Sequence, residues 1–178
     1  RYLKHVLGAG LQTAVDITND TRFMDIICPA GNIYTSAERS GRFFEMLLSG
    51  GEYQGKQIIS AKTVFRSTLP TSGVSIDRSL LAPMRYALGP MLGSNPVGLF
   101  GPMTGQAFGH IGFSNILCWA DPERDISVSL LTTGKSVVGT HLPALTKMLY
   151  QISNNCPKIP KNQRRSLFAT DRSENDLV

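Results

Sequence analysis

The sequence predicts an α+β fold: an antiparallel hairpin with helices flanking the sheet it belongs to. Two observations carry that expectation. The first is the stretch 113–132, where FSNILCWA is an apolar run, DPER supplies a turn with proline in its second position, and DISVSLLT alternates Ile126, Val128 and Leu130 with Ser127 and Ser129. The second is a pair of segments with helical period, TSAERSGRFFEMLLSGG at 35–51 and a late segment in which Leu142, Leu145, Leu149 and Ile152 recur. A chain of 178 residues suits a single domain and is long enough to bury a sizeable core.

Taken in order, residues 2–15 are apolar with breaks at Gly8 and Gly10, consistent with a short helix followed by an extended piece. The helix after Thr35 has Thr35 and Glu38 at capping-box spacing. Phe43/Leu47 and Phe44/Leu48 are i,i+4 pairs that call for a buried face, and Gly50-Gly51 is a stop. EYQGKQIIS predicts a turn and a short extended piece, after which Ser60 caps a brief helix, AKTVFRSTL, ended by Pro70. Residues 71–105 are rich in Gly, Pro and Ser and predict one strand, Met84–Leu88, in long loops that could line a site. Thr140 is placed to cap the late helix, with Pro143 tolerated in its first turn, and that helix should cover the hairpin's apolar face. The tail 156–178 has no hydrophobic period and predicts disorder. No internal repeat is present.

Composition excludes several function classes. The chain is 42% hydrophobic and 17% charged with net charge +5, of which the tail holds +2, so no basic stripe marks a nucleic-acid binder. No run of about 18 apolar residues exists to span a membrane. Three widely spaced cysteines, Cys28, Cys118 and Cys156, argue against a disulfide framework and a zinc site, and Cys118 is expected to be a small buried hydrophobe. The opening residues lack both an initiator Met and a signal-peptide pattern, as if the chain began inside a longer protein.

Among candidate functional residues, His110 stands between Gly109 and an Ile111-Gly112 pair. The missing β-carbons leave room around the imidazole and let a ligand approach the strand at Gly112. The bland alternative is a structural histidine whose glycines mark a bulge. LTTGKS at 131–136 imitates the end of a phosphate-binding loop, but Ser129 occupies the place of the first glycine and no helix follows directly. No serine satisfies Ser-x-x-Lys, Thr132-x-x-Lys135 lies at a strand end, and no Gly-x-Ser-x-Gly elbow occurs. His5 and His141 have no partner motif, and Asn19-Asp20-Thr21 matches a glycosylation acceptor that means little without evidence of secretion.

Three segments in this order and spacing resemble the serine β-lactamase-like hydrolases, the superfamily of class C β-lactamases, family VIII carboxylesterases, D-aminopeptidases and penicillin-binding proteins. PAGNIYTSAERSGRFFEMLLSGGEYQGKQIISAKTV (29–64) is similar to that family's glycine-rich strand, helix and turn. FGHIGFSNILCWADPERDISVSLLTT (108–133) is similar to the strand bearing its third catalytic motif and the adjoining hairpin, and 141–153 to its terminal helix. The resemblance implies a β-lactamase/transpeptidase-like fold, incomplete at the N-terminus, with residues 1–155 as its C-terminal portion.

In that family the third motif, Lys-Thr-Gly or His-x-Gly, lies on the strand edging the active site. Here it falls on His110-Ile111-Gly112. The resemblance implies that His110 hydrogen-bonds the catalytic tyrosine or the substrate, that Gly112 lets the substrate lie against the strand, and that the Phe113 backbone N–H is half of an oxyanion hole. Asn32 and Asn115 stand where relatives usually show glycine, and asparagine is the best non-glycine tolerated at positive φ. Arg39 stands where an aspartate is common, and neither Ser-x-x-Lys nor Tyr-x-Asn occurs in the chain.

The implied activity is hydrolysis of a small-molecule ester, amide or β-lactam through a serine acyl-enzyme, with nucleophile and base outside this chain. Histidine in place of lysine leans toward esterase or peptidase, and no metal or organic cofactor is implied. The competing expectation is a non-catalytic binding or interaction module on the same fold. Alone, such a portion should leave the faces of Phe43/Leu47 and Leu145/Leu149 exposed.

Overall fold

The computed structural model describes residues 4, 8–28, 31, 33–112, 116–132 and 139–168. The chain divides into two compact units, 1–35 with 77–82, and 36–76 with 83–178. In the first, helices α1 (Leu11–Thr18) and α2 (Thr21–Asp25) contain no buried residue. The Asp20 of the glycosylation-like triplet is the cap of α2, accepting from the Arg22 backbone N–H at 2.8 Å and pairing with its guanidinium at 2.8 Å. Of the short helix expected early in residues 2–15, Lys4 is helical while its neighbours 1–3 and 5–7 lie outside the described residues, and where an extended piece was expected to follow, a helix runs from Leu11. The turn at 77–82 is held by the Asp77 carboxylate, which accepts from the Ser79 and Leu80 N–H groups.

The second unit opens on α3 (Ala37–Leu48). Its cap is Ser36, not Thr35: the Ser36 hydroxyl accepts from the Arg39 N–H at 3.2 Å, and Glu38 pairs forward with Arg42 at 2.5 Å. Gly50 and Gly51 stop it at φ +70° and +87°, and a Cβ at Gly51 would run into the Ile59 carbonyl. A minimal hairpin, β1 (Glu52–Tyr53) and β2 (Lys56–Gln57), leads to α4 (Ala61–Ser67), whose Ser60 cap accepts from Thr63 as expected.

The loop-rich region is more ordered than its composition suggests. It holds β3 (Ser75–Asp77), β4 (Ala82–Tyr86, two residues earlier than expected), β5 (Met91–Leu92) and the small pair β6 (Val97–Gly98) and β7 (Gly101–Pro102). With β8 (Phe108–Gly112), β9 (Ile116–Asp121) and β10 (Ile126–Leu130) these build a six-stranded sheet in the order β10-β9-β8-β5-β4-β3, and every described register is antiparallel. Strands of two residues carry too little alternation to be recognised in sequence.

Helix α3 packs on β9 and β10. The core joins Leu48 of α3, Val64 of α4, and Ala87, Leu92, Phe108 and Ala120 of the sheet region, with Phe44 and Leu47 packed against it. Each large apolar side chain fully withdrawn there contributes on the order of 1.5–3 kcal/mol. Phe43, expected inside with Leu47, is half-exposed and makes an edge contact to Phe44 at 5.5 Å.

Two further expectations give way. The late helix, α5 (Leu142–Asn155), has His141 and not Thr140 at its cap position. It packs on β7 instead of lying directly on the hairpin, whose Trp119 meets Phe100 in a stack at 5.4 Å. Leu149 is buried all the same. The first half of the tail expected to be disordered is held in place. Ile159 N–H donates to the Glu123 carbonyl at 2.8 Å, Lys158 and Arg164 reach the Glu123 carboxylate at 2.5 and 3.2 Å, and Phe168 is buried against Phe108 at 5.8 Å. Arg165 bonds Glu45, Asp125 and the Ser49 hydroxyl. A polar average over the tail hides one aromatic anchor and three cations matched to fixed carboxylates. Residues 169–178 lie outside the described residues.

The hairpin turn carries its own buried pair. Asp121 accepts from the Arg124 guanidinium at 2.7 Å and from the Glu123 N–H at 2.9 Å, while Arg124 also donates to the Ser153 and Met103 carbonyls. Burial, partly opposed by Arg124, pushes the Asp121 carboxyl above the ordinary aspartate range.

Candidate active site

The strand carrying His110 and Gly112 is internal at one end and open at the other. Gly109 faces Met91 and Phe108 faces Leu92 across β5, whereas β9 runs alongside from Phe108 to Gly112. β5 begins at Met91, so from His110 onward the far side of β8 has no strand partner among the described residues. The expected edge strand is therefore an edge only over its last three residues.

Backbone direction follows from one bond. The Ala107 carbonyl accepts from the Gly93 N–H at 2.8 Å, so in an antiparallel strand the odd-numbered peptide groups turn toward β5. Gly109 spends its groups on that side, and Ile111, two residues on, turns its N–H where no strand lies among the described residues, its carbonyl oxygen being met by the His110 Nδ1 at 2.7 Å. A strand edge of this kind is what an extended ligand adds to.

The two glycines have different reasons. A Cβ at Gly109 would fall inside the Cys118 carbonyl and the Trp119 backbone of β9, so that glycine is fixed by sheet packing and not by the bulge of the bland reading, the β8–β9 register being unbroken. A Cβ at Gly112 would meet nothing closer than the Ile116 Cβ at 3.3 Å. That contact is tight and asks Ile116 to give by a few tenths of an ångström, far less than Gly109 demands, and close approach of a ligand is a second reason for glycine at this position. Phe113, Ser114 and Asn115 lie outside the described residues, as do Asn32 and the Thr133–Ser136 part of the phosphate-loop imitation, so Phe113 has no described position. Residues 33–36 are in no strand.

His110 is exposed, and its Nδ1 lies 2.7 Å from the Ile111 carbonyl oxygen. Directly across β9 its register partner is Cys118, and across β10 Cys118 faces Ser129. Cross-strand partners share a face, which makes His110, Cys118 and Ser129 one row. The Cys118 thiol lies 3.2 Å from the Ser129 hydroxyl, and Ser40 of α3 donates to it at 3.1 Å. Cys118 is thus half-buried and hydrogen-bonded, not a plain apolar filler. Gly41, beside Ser40, faces the same row, a Cβ there lying at ordinary contact distance, 3.9 Å, from the Ser129 Cβ.

Sequence reasoning missed Ser40. The alternation in DISVSLLT held the signal: the small serines on the polar side are where the helix sits, not where water does.

His141 lies at the start of α5 and Arg39 is exposed on α3. A cleft of about 440 Å³ beside the end of α3, lined by Ser49, Glu52, Gln57 and Arg165 among others, includes none of the expected site residues. Among the described residues, no three His, Cys, Asp or Glu side chains converge as a metal site, and no helix is long and apolar enough to cross a membrane.

Comparison with known proteins gives matches of sequence and of fold. The family model described as Beta-lactamase matches residues 3–148. The Esterase/beta-lactamase LipL of Mycobacterium tuberculosis is 29% identical over 115 residues, covering 65% of this chain and 25% of that protein. A penicillin-binding protein homologue from Caulobacter crescentus superposes with TM-score 0.63 at 20% identity, covering 75% of this chain and 35% of that one. A family VIII carboxylesterase does so with TM-score 0.52 at 23% identity, covering 66% and 31%. The chain thus spans between a quarter and about a third of the length of these relatives.

Proposed function

Because the chain belongs to the beta-lactamase family, we propose that residues His110–Phe113 form one wall of a hydrolase site that cleaves small-molecule esters through a serine acyl-enzyme. The observation that carries this reading is the open side of β8: a strand end whose outward side meets no other strand among the described residues, a solvent-facing imidazole and a glycine far less crowded than Gly109. An ester laid along such an edge gains main-chain hydrogen bonds, and Gly112 removes the side chain that would hold it off. The Phe113 N–H supplies an oxyanion donor. It is worth more in the transition state than in the ground state because negative charge develops on the carbonyl oxygen only as the nucleophile adds. His110 contributes a hydrogen bond to the substrate or to a neighbouring hydroxyl.

Serine attack needs a base, and the 178 residues contain neither Ser-x-x-Lys nor Tyr-x-Asn. Nucleophile and base are assigned to the length by which the relatives exceed this chain. Histidine at the third motif favours esters over β-lactams, whose carboxylate suits the fixed cation of a lysine. The missing serine motif also favours a second reading, a binding module without catalysis.

Hydrolysis of p-nitrophenyl butyrate by the full-length protein separates the two. The esterase reading expects turnover that His110→Ala reduces and that Phe113→Pro, which deletes the backbone donor, reduces by about 10²–10³-fold, with Phe113→Ala largely active. No turnover, or equal loss in both Phe113 variants, counts against it.

A further inference from the structure

We propose that the cleft of about 440 Å³ walled by the end of α3, the β1–β2 hairpin and residues 165–167 binds a small ligand carrying an ammonium or guanidinium group on an apolar stem. The inference does not rest on the hydrolase reading above.

The cleft has the size of a small-molecule site, for which about 300–1,000 Å³ is usual. Segments far apart in the sequence build it, and Leu48, Ala61 and Leu167 give it an apolar part. Its polar lining selects the ligand, because the donors there are spent and the acceptors are not. Arg165 aims all three guanidinium nitrogens at Asp125, Ser49 and Glu45, so two carboxylates already face its single charge. The Gln57 amide nitrogen donates to the Gly50 and Ile59 carbonyls at 2.8 and 2.5 Å, which uses both of its protons. Left over are the Glu52 carboxylate and the Gln57 amide oxygen, neither with a partner among the described residues, and lone pairs on the Ser49 and Ser166 hydroxyls.

The hairpin aims two of these acceptors together. Glu52 and Gln57 are register partners, so their side chains share one face, while Tyr53 and Lys56 take the other. Lys62 follows Ala61 by one residue, about 100° further around α4. Neither lysine lines the cleft. A cationic head satisfies the acceptors with charge-assisted hydrogen bonds, and its stem displaces water from the apolar part. A carboxylate meets Glu52 as a like charge and finds Arg165 already engaged by two others.

Benzylammonium, benzyl alcohol and benzoate share a ring and differ in the head group, which makes them the probes. They are titrated into the full-length protein and followed by ¹H–¹⁵N NMR. Benzylammonium is expected to shift the amides of residues 49–57 and 165–167 saturably, with a Kd of about 1 mM for a ligand of its size. Benzyl alcohol and benzoate are expected to bind more weakly by about threefold or more, the scale of one partly exposed charge pair. Glu52 is exposed, so its variants should fold. Glu52→Gln is expected to abolish the preference for the ammonium over the alcohol, and Glu52→Lys to turn it toward benzoate. The proposal is overturned by the absence of a saturable shift at these residues, by equal affinity for the alcohol in the unsubstituted protein, or by a preference that both Glu52 variants leave unchanged.

Discussion

Two glycines flanking one histidine illustrate how differently the same residue type can be constrained. Gly109 has no room for a Cβ against Cys118 and Trp119, whereas Gly112 meets only Ile116 at 3.3 Å. Gly109→Ala is therefore expected to cost about 1–3 kcal/mol or more through overpacking against backbone, which cannot rotate away. Gly112→Ala should cost less stability than Gly109→Ala, since only the Ile116 side chain has to give, and lose ester hydrolysis, chiefly through KM. Urea unfolding and steady-state kinetics on the two variants check this; comparable destabilisation by both would mean that Gly112 too is merely packed. The sequence showed the triplet but could not tell the two glycines apart, because the atoms that crowd Gly109 belong to a strand some ten residues on.

The hairpin β9–β10 is the element the sequence specified best. Its proline turn and its antiparallel pairing appear as expected, while burial along β10 is uniform and does not follow the alternation. Its neighbours did not follow: α3 covers the serine side, and α5 reaches the sheet region through Gly101–Pro102 and Phe100.

The turn also hides the Asp121–Arg124 pair, with side chains 1% and 6% exposed. Since burial raises the Asp121 pKa, the folded chain keeps this proton through a window above the ordinary aspartate range where the unfolded chain has already released it. The group's contribution to stability therefore falls as pH rises through that window. Arg124→Met removes the cation that opposes the rise and strands the Ser153, Met103 and Pro102 carbonyls. It is expected to destabilise by about 3–5 kcal/mol at neutral pH and by less in acid, where a protonated Asp121 needs no counter-charge. Urea titrations at two pH values measure the difference; a cost that grows in acid contradicts this account.

For the whole molecule, the stretch after α5 matters more than its composition implies. Phe168 enters the core against Phe108, and Arg165 and Lys158 fasten the same segment to Glu45, Asp125 and Glu123. Ending the chain at Asn155 is expected to lower stability by at least about 3 kcal/mol, the scale of deleting one buried phenylalanine. An unchanged urea midpoint would show that the segment is only decoration. In the other compact unit, α1 and α2 bury no residue, and Ile17, Met24 and Ile26 are exposed.

What the sequence determined by itself is what short-range pattern encodes: the α+β class, three helices to within a residue or two, the hairpin, and a His-x-Gly strand whose company with the neighbouring segments pointed to the family. Capping, period and turn chemistry are local, and local interactions are written in neighbouring letters. Tertiary structure alone decided that β8 is open only from His110 onward, that Ser40 and Ser129 close on Cys118, and that Phe168 completes the core. Each of these depends on groups between 11 and 78 residues apart meeting at van der Waals or hydrogen-bonding distance. Such a meeting follows from sheet order and packing, and no window of sequence contains it.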